Sequence, residues 1–488
     1  KKMAVLSTPG FDLQPSAQQV PTSTNYITNF NFLNQYLPDT YEKEFERYGN
    51  RTIASFLRMV GAEMPSNSDQ IKWAEQGRLH IKYTKVGAAA AGTGLNTMDI
   101  QINDDAVPAG LVTPNGTTAG TPFNATNGIA LRVGQTVMLV PNAGGASNKA
   151  VVTGTDLANK QATLHFYEGT GLAVAGTGIA NADYTLFIYG SEFKKGTAGM
   201  SGSLEADDYI FANNPIIIKD TYKVSGSDMA QIGWIEISTE DGGTGYLWYL
   251  KSEHETRLRF EDYLETAMIE AVPAATGSGA VGQGFIGSEG IFHVVENRGN
   301  VWGGGNPVAL ADFDAVIQRL DKQGSIEENV IFLNRQFSFD MDDMLAAQNS
   351  YGAGGTSYGL FDNDEEMALN LGFSGFRRGY DFYKTDWKYL NDPTMRGGIT
   401  GAGVGINGLL VPAGSTSVYD QILGKNAKRP FLHVRYRASE TEDRRYKSWV
   451  TGSAGGARTS DDDFMQVNFL SERAVCTLGA NNFFLFKD

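Results

Sequence analysis

The chain has 488 residues and a formal net charge of −15, from 40 Lys and Arg against 55 Asp and Glu. That balance argues against a surface that grips nucleic acid by neutralising phosphates, and it favours solubility. A hydrophobic content of 41% with 19% charged residues excludes a disordered chain and is enough for a large core in two or more domains. The single cysteine, Cys476, excludes an intrachain disulfide, and in the run AVCTL it reads as a small buried core residue. No run of 18 apolar residues exists for a membrane-spanning helix. The first residues lack the apolar region of a signal peptide. Glycine, at 58 residues without collagen periodicity, points to many tight turns and extended loops.

Residues 1–40 carry Pro9, Pro15, Pro21 and Pro38 in a polar, Asn- and Thr-rich stretch, and read as an extended arm that needs another surface to lie on. A helix is expected over 41–60, with Asp39 or Thr40 as its cap, Arg58 late, and Gly49 as a break. Over 70–86 the period changes. Leu79, Ile81 and Tyr83 alternate with His80, Lys82 and Thr84, which predicts a half-exposed strand. Residues 87–128 read as loops with one short strand near 98–102. Residues 129–190 hold four short strand runs between turn signals, at the spacing of a small barrel or sandwich. Strands resume at 215–218, 222–224 and 231–238, so this module reads as inserted between an outgoing strand at 78–86 and a returning one near 215–224.

Residues 248–272 predict the longest helix, free of Pro and Gly until Pro273 stops it. Glu253 with Arg257, and Glu255 with Arg259, stand at i,i+4 with the acid first, the favourable order. Only the second half has an apolar stripe: Phe260, Leu264, Ala267, Met268 and Ala271. Such a helix is either a solvated surface helix or one packed on its own body at one end and facing another chain at the other. Beyond it, a Gly/Ala loop over 273–284 leads to a strand expected at 290–295. A Gly-rich turn at 303–305, a helix over 308–321, a buried strand over 329–333 and helices over 338–348 and near 364–371 follow. That alternation predicts an α/β domain. After the glycine-dense 397–408 comes a short strand at 409–412, and the chain ends in three β runs, the last read as paired strands joined at a turn over 479–482.

Few constellations suggest chemistry. Gly403, Gly405 and Gly408 match dinucleotide-binding spacing, but LLVP follows where a helix is needed, which favours a loop. His80, His165, His254, His293 and His433 share no metal-ligand spacing. The acids at Asp362, Asp364, Glu365 and Glu366, and at Asp461, Asp462 and Asp463, do not match a calcium loop. There is no nucleophile elbow and no P-loop, so the reading is non-enzymatic and without a cofactor. Arg377, Arg378, Arg435, Arg437, Arg444, Arg445 and Lys447 interleave with Glu440, Glu442 and Asp443, which favours ion pairs between copies over a polyanion-binding face. The candidate intersubunit contacts are Glu253, Glu255, Arg257, Arg259, Arg444 and Arg445.

With NPIIIKDTYKVSG over 214–226 similar to a returning-strand signature, the order of parts resembles the major capsid proteins of tailed bacteriophages, of the Hong Kong 97-type fold, and among them those of crAss-like phages. The resemblance implies an α+β fold made of an N-terminal arm (1–40), a helix leading into the peripheral domain (41–69), an extended β-hairpin loop (70–87 and 201–240), a peripheral domain (241–300 and 426–488) with a spine helix at 248–272, and an axial α/β domain (301–425). The β module over 88–200, a small barrel or sandwich, is extra to the family's minimal pattern. It also implies hexameric and pentameric capsomers of an icosahedral head enclosing double-stranded DNA that is contacted non-specifically, without a membrane. Portal, scaffold and decoration or fibre proteins would be partners, and the location would be the virion, with assembly in the host cytoplasm. A reading from another class is a glycan-binding or glycan-processing β-rich protein using Trp234, Tyr246 and Trp248 with nearby carboxylates.

Overall fold

A computed structural model describes residues 62–77, 80–88, 97–102, 105–107, 121–122, 129–168, 184–203, 208–231, 237–238, 244–245, 248–348, 375–420, 425–456 and 458–488. The arm over 1–40, the helix over 41–60 and the helical stretch near 364–371 fall outside these residues.

The chain begins with β1 (Ala62–Ser66), β2 (Ile71–Gln76), β3 (Lys82–Ala88), β4 (Thr97–Ile102), β5 (Asp105–Val107) and β6 (Thr121–Pro122). Next come β7 (Gln135–Pro141), β8 (Asn148–Asp156), β9 (Gln161–Phe166), β10 (Tyr184–Ser191), β11 (Asp208–Asn213) and β12 (Ile216–Ser225). The turn α1 (Gly226–Met229) and the short β13 (Ile237–Ser238) and β14 (Thr244–Gly245) precede the long helix α2 (Trp248–Glu270). Then follow α3 (Gly279–Gly282), α4 (Ile291–Arg298), β15 (Asn300–Trp302), α5 (Leu310–Gln323), β16 (Glu328–Leu333) and α6 (Arg335–Gln348). The remainder is β17 (Gly375–Arg378), β18 (Tyr380–Asp386), α7 (Lys388–Asn391), β19 (Ile406–Pro412), β20 (Ser415–Asp420), β21 (Lys425–Pro430), β22 (Leu432–Arg437), β23 (Lys447–Gly452), β24 (Phe464–Thr477) and β25 (Phe484–Lys487). Of the described residues, one compact unit holds those within 217–264 and 440–472, and a second holds those within 62–216, 265–439 and 473–488.

In the second unit, β10-β3-β4-β9-β8-β7 close into a six-stranded barrel. Its inside is filled by alternate residues, among them Tyr83, Val86, Ile100, Val137, Leu164 and Leu186. The Tyr83 hydroxyl accepts the Ala130 amide at 2.8 Å. The strand expected over 78–86 as an outgoing arm is therefore β3, a barrel stave. The alternation seen there is real, but Tyr83 and Val86 face a barrel interior. It is β2 that runs outward, paired antiparallel with β11 from Ile71↔Asn213 to Gln76↔Asp208. The strand expected to return beside it, β12, pairs with β24 instead.

The same unit holds a mixed sheet, β15-β25-β19-β16-β18-β17. Phe313, Val316 and Leu320 of α5 and Phe337 and Met341 of α6 join Ile331, Leu333, Phe382 and Phe484 in its core. The segment expected as a strand at 290–295 is α4, whose buried Ile291, Phe292, Val294 and Val295 follow i, i+1, i+3, i+4 spacing. The glycine pattern at 403–408 runs into β19, where all seven residues are buried, so its end is a sheet strand and not a loop. The last β run does not form one pair. β24 joins β22 at Leu432↔Thr477, whereas β25 lies between β15 and β19. Cys476 is buried, which pushes its thiol up to about 12.

In the first unit, residues of α2 within 249–264 pack with β12 and β24. Val224, Phe260, Leu264, Met465, Val467 and Phe469 form the core. The Phe260 ring stacks on Phe469 at 5.6 Å and meets Tyr446 edge-on at 5.4 Å. Gly452 ends β23 with φ +125°, and any side chain there would run into the Phe464 carbonyl, so glycine is required for the turn back to β24. Phe260→Ala removes the centre of this core and is expected to cost about 3–5 kcal/mol. Hydrogen exchange of the β24 amides, with the barrel amides unchanged, checks it.

Candidate functional site

The first site is the charged half of α2 and the segment beside it. His254 and Thr256 are buried, while Glu255 and Arg259 are exposed, so this half is not solvated on every face. The Arg257 guanidinium lies 3.2 Å from His254 Nδ1. Burial raises the Glu253 carboxyl, and Arg257 opposes that rise. The coupling expected between Glu253 and Arg257 is thus present as an electrostatic one. Glu255 reaches back to Lys251 at 3.6 Å and not forward to Arg259. That base-first order is the weaker of the two on a helix.

Tyr446, through Phe260, fixes the segment that carries Arg444 and Arg445 against α2. Arg444 Nε lies 2.8 Å from Glu472 Oε2. The Ser471 hydroxyl donates to the Arg445 carbonyl at 2.6 Å, and the Arg445 amide donates to Asp443 at 2.8 Å. Other members of the basic group expected to pair with a neighbouring copy have partners in their own chain. Arg377 meets Asp381 at 3.1 Å, Lys447 meets Glu442 at 2.9 Å, Arg378 pairs with Asp314, and Arg437 pairs with Asp69. The helix residues and Arg444–Arg445 are brought into one unit, and of the six candidates Glu255, Arg259 and Arg445 are exposed.

The second site, in the other unit, clamps the β2–β11 ribbon. Arg298, its side chain only 9% exposed, pairs with Glu289 at 2.7 Å. Its guanidinium lies 4.1 Å from the Phe211 ring centre and 6.0 Å from that of Trp73. Burial lowers Arg298 and raises Glu289, and each partner opposes the other's shift. The carboxyl of Glu75 accepts the Trp73 indole N–H at 3.0 Å and the Gly479 amide at 2.9 Å. At the ribbon's end the buried Asn213 amide donates to the carbonyls of Val475 at 2.7 Å and Glu289 at 2.9 Å. Its oxygen accepts from the Glu289 amide at 2.8 Å and the Ser288 hydroxyl at 3.0 Å. Sequence reasoning missed this cluster. Its members stand far apart in the chain, and Arg298 sits in the last turn of a helix read as a strand.

Between α2 and α4 the chain makes a loop pinned at its base, where the Gly290 amide donates to Ala271 at 2.8 Å and the Ala274 amide to Ile286 at 2.9 Å. Phe285 at its tip is 70% exposed, beside Ile286 and Val272. Such an apolar loop has little reason to face water.

Among the described residues no group of three or more His, Cys, Asp and Glu is arranged to hold a metal ion, and no helix is long and apolar enough to cross a membrane. Asp362, Asp364, Glu365, Glu366, Trp234 and Tyr246 lie outside the described residues, as does the side chain of Trp248.

No family model and no curated protein matches the chain. Among solved structures, the capsid of a native GTA particle is 9% identical, with a TM-score of 0.37, over 94% of this chain and 99% of that one. A structure from Microbacterium phage Oxtober96 is 9% identical at 0.35, over 88% and 90%. The holo-SrpI encapsulin complex from Synechococcus elongatus is 10% identical at 0.31, over 59% and 76%.

Asn213→Leu keeps the branched shape of the side chain but strands two carbonyls, two amides and a hydroxyl. With about 1–3 kcal/mol for each buried group left unpaired, the variant is expected to melt about ten degrees lower or more. Faster exchange of the Glu289 amide, read by mass spectrometry, checks that the loss is local.

Proposed function

We propose that this chain is the shell-forming subunit of a tailed-bacteriophage head, a major capsid protein of the Hong Kong 97 type, related to those of crAss-like phages. The observation that carries the reading is the order and pairing of the elements. A two-stranded ribbon opens at β2 and closes at β11 around an inserted barrel. A 23-residue helix follows, then a mixed α/β sheet, then C-terminal strands that pair back with earlier ones. The domain assignment follows the same order, with the ribbon and neighbouring chain over 70–87 and 201–240 as the extended loop, 248–272 as the spine helix and 301–425 as the axial domain. Within 70–87 the ribbon strand is β2, and in this reading β3 passes from the extended loop to the inserted module.

Hexamers and pentamers of the subunit would enclose double-stranded DNA. A net charge of −15 suits a wall that holds DNA without adhering to it. Portal, scaffold and decoration or fibre proteins are its partners in the virion, after assembly in the host cytoplasm. The subunit needs no catalysis. Its work is done by many weak contacts acting together, with the apolar loop at Phe285 and the open charges of Glu255 and Arg259 as contact points.

Electron microscopy of the purified full chain is expected to show closed shells or capsomer-sized rings. A monodisperse monomer at high concentration overturns the reading. Arg257→Glu with Arg259→Glu is expected to impair assembly more than folding. Because Arg257 also touches His254, Arg259→Glu alone is the cleaner variant. It is expected to cut the assembled fraction up to about fivefold, the effect of one lost exposed pair, with an unchanged melting curve.

A further inference from the structure

On the outer wall of the barrel, residues of β7, β8 and β10 and those just after β9 surround a depression of about 600 Å³. Tyr167 and Tyr189 line it, 48% and 45% exposed. They are not barrel core, which is filled from the other side of the same strands. The Tyr167 phenol donates to Glu192 Oε2 at 2.5 Å, which anchors the ring by its hydroxyl and leaves the other carboxylate oxygen to act as an acceptor. The Lys149 ammonium lies 5.7 Å from the Tyr189 ring centre. The Lys149 backbone N–H donates to Glu168 Oε2 at 3.1 Å, holding a second carboxylate at the rim.

Beneath them lies Thr136, 5% exposed, whose hydroxyl has no hydrogen-bond partner. A buried hydroxyl left unpaired costs stability and signals a missing partner. Gly190 stands opposite Thr136 in the ladder, at an irregular step in the strand. A Cβ at Gly190 would come within 3.1 Å of that hydroxyl, so the glycine keeps the space above it open.

We propose that this depression is a carbohydrate-binding subsite for a neutral or amino-sugar pyranose. Half-exposed tyrosine rings offer apolar surface to the C–H groups of a sugar, and carboxylates, an ammonium and a hydroxyl suit its hydroxyls. Two carboxylates against one ammonium repel uronic and sialic acids. The site is made of other residues than the Trp234, Tyr246 and Trp248 grouping suggested by sequence. A second copy of this chain is the rival occupant, and the mixed polar lining counts against it.

Saturation-transfer NMR on the full chain tests the subsite, because it reads weak binding to large proteins. The probes are cellobiose, N,N′-diacetylchitobiose and 3′-sialyllactose. Transfer to pyranose C–H protons is expected from at least one of the first two and not from the sialylated sugar. Tyr189→Ala is expected to weaken that binding severalfold, up to about tenfold, the loss of one aromatic ring. Glu192→Gln, which leaves both rings in place, is expected to weaken it severalfold with the melting curve unchanged. No transfer from either uncharged disaccharide, equal transfer from the sialylated sugar, or transfer unaltered in both variants overturns the proposal. A change in sedimentation of Tyr189→Ala with sugar binding intact overturns it in favour of a contact between copies.

Discussion

One carboxamide sets the frame of the larger unit. Asn213 is the last residue of β11 and is 3% exposed. Both of its N–H groups are spent on carbonyls, and its oxygen accepts from Ser288, from Glu289 and from the amide of Asn214 at 2.8 Å. That saturates what an amide side chain can offer. Aspartate would set a carboxylate against two carbonyls, and an apolar residue would leave all of them unpaired. The next residues, Asn214 and Pro215, keep the chain extended, because proline excludes helix from the residue before it. The ribbon therefore ends at a defined residue, and β12 starts three positions later.

The ion pairs divide by their surroundings. Arg298 and Glu289 are largely withdrawn from water, where desolvation rivals attraction. What repays it is the company: the guanidinium lies over the rings of Phe211 and Trp73, so Arg298 ties α4 to the ribbon. Glu270, at the last turn of α2, is secured by the Tyr389 hydroxyl at 2.7 Å and by Arg396 at 3.5 Å. Burial and the neighbouring carboxylate raise that phenol strongly, so it remains a donor. Lys251–Glu255, by contrast, lies at the surface and contributes little to stability.

Local periodicity made α2, α5, α6 and β16 legible, because each buries one face in a pattern set by its own residues. Where two periods fit a short apolar run, it misled. IFHVVENR is rich in β-branched residues and its helix cap, Gly290, makes no side-chain hydrogen bond, so it reads as a strand until its burial is seen. Partnership was harder still. Nothing in the alternation of β3 says that its inner side faces a barrel and not a ribbon, and nothing in β24 and β25 says that they join separate sheets. The clamp at Arg298 was illegible for the same reason, since its aromatic and acidic partners come from residues 73, 211 and 289. The charged half of α2 was legible as residue types but not as pairs, because rotamers sent Glu255 to Lys251.

The topology gives the barrel unusual freedom. The chain enters it after β2 and leaves it before β11, and those two strands pair with each other in register along their whole length. A module closed on itself has no sheet edge to offer, and its core draws on no residue from outside the segment between the paired strands. Its outer wall can therefore vary in sequence without disturbing the register of β2 and β11. Selection on that wall is then free to act on what it touches. Half-exposed tyrosines, an unpaired threonine hydroxyl and a glycine that keeps it uncovered are hard to explain as barrel stability, because each of them costs stability or adds none. The same features are economical as recognition, since rings already set at the surface lose little rotamer freedom when a flat ligand arrives.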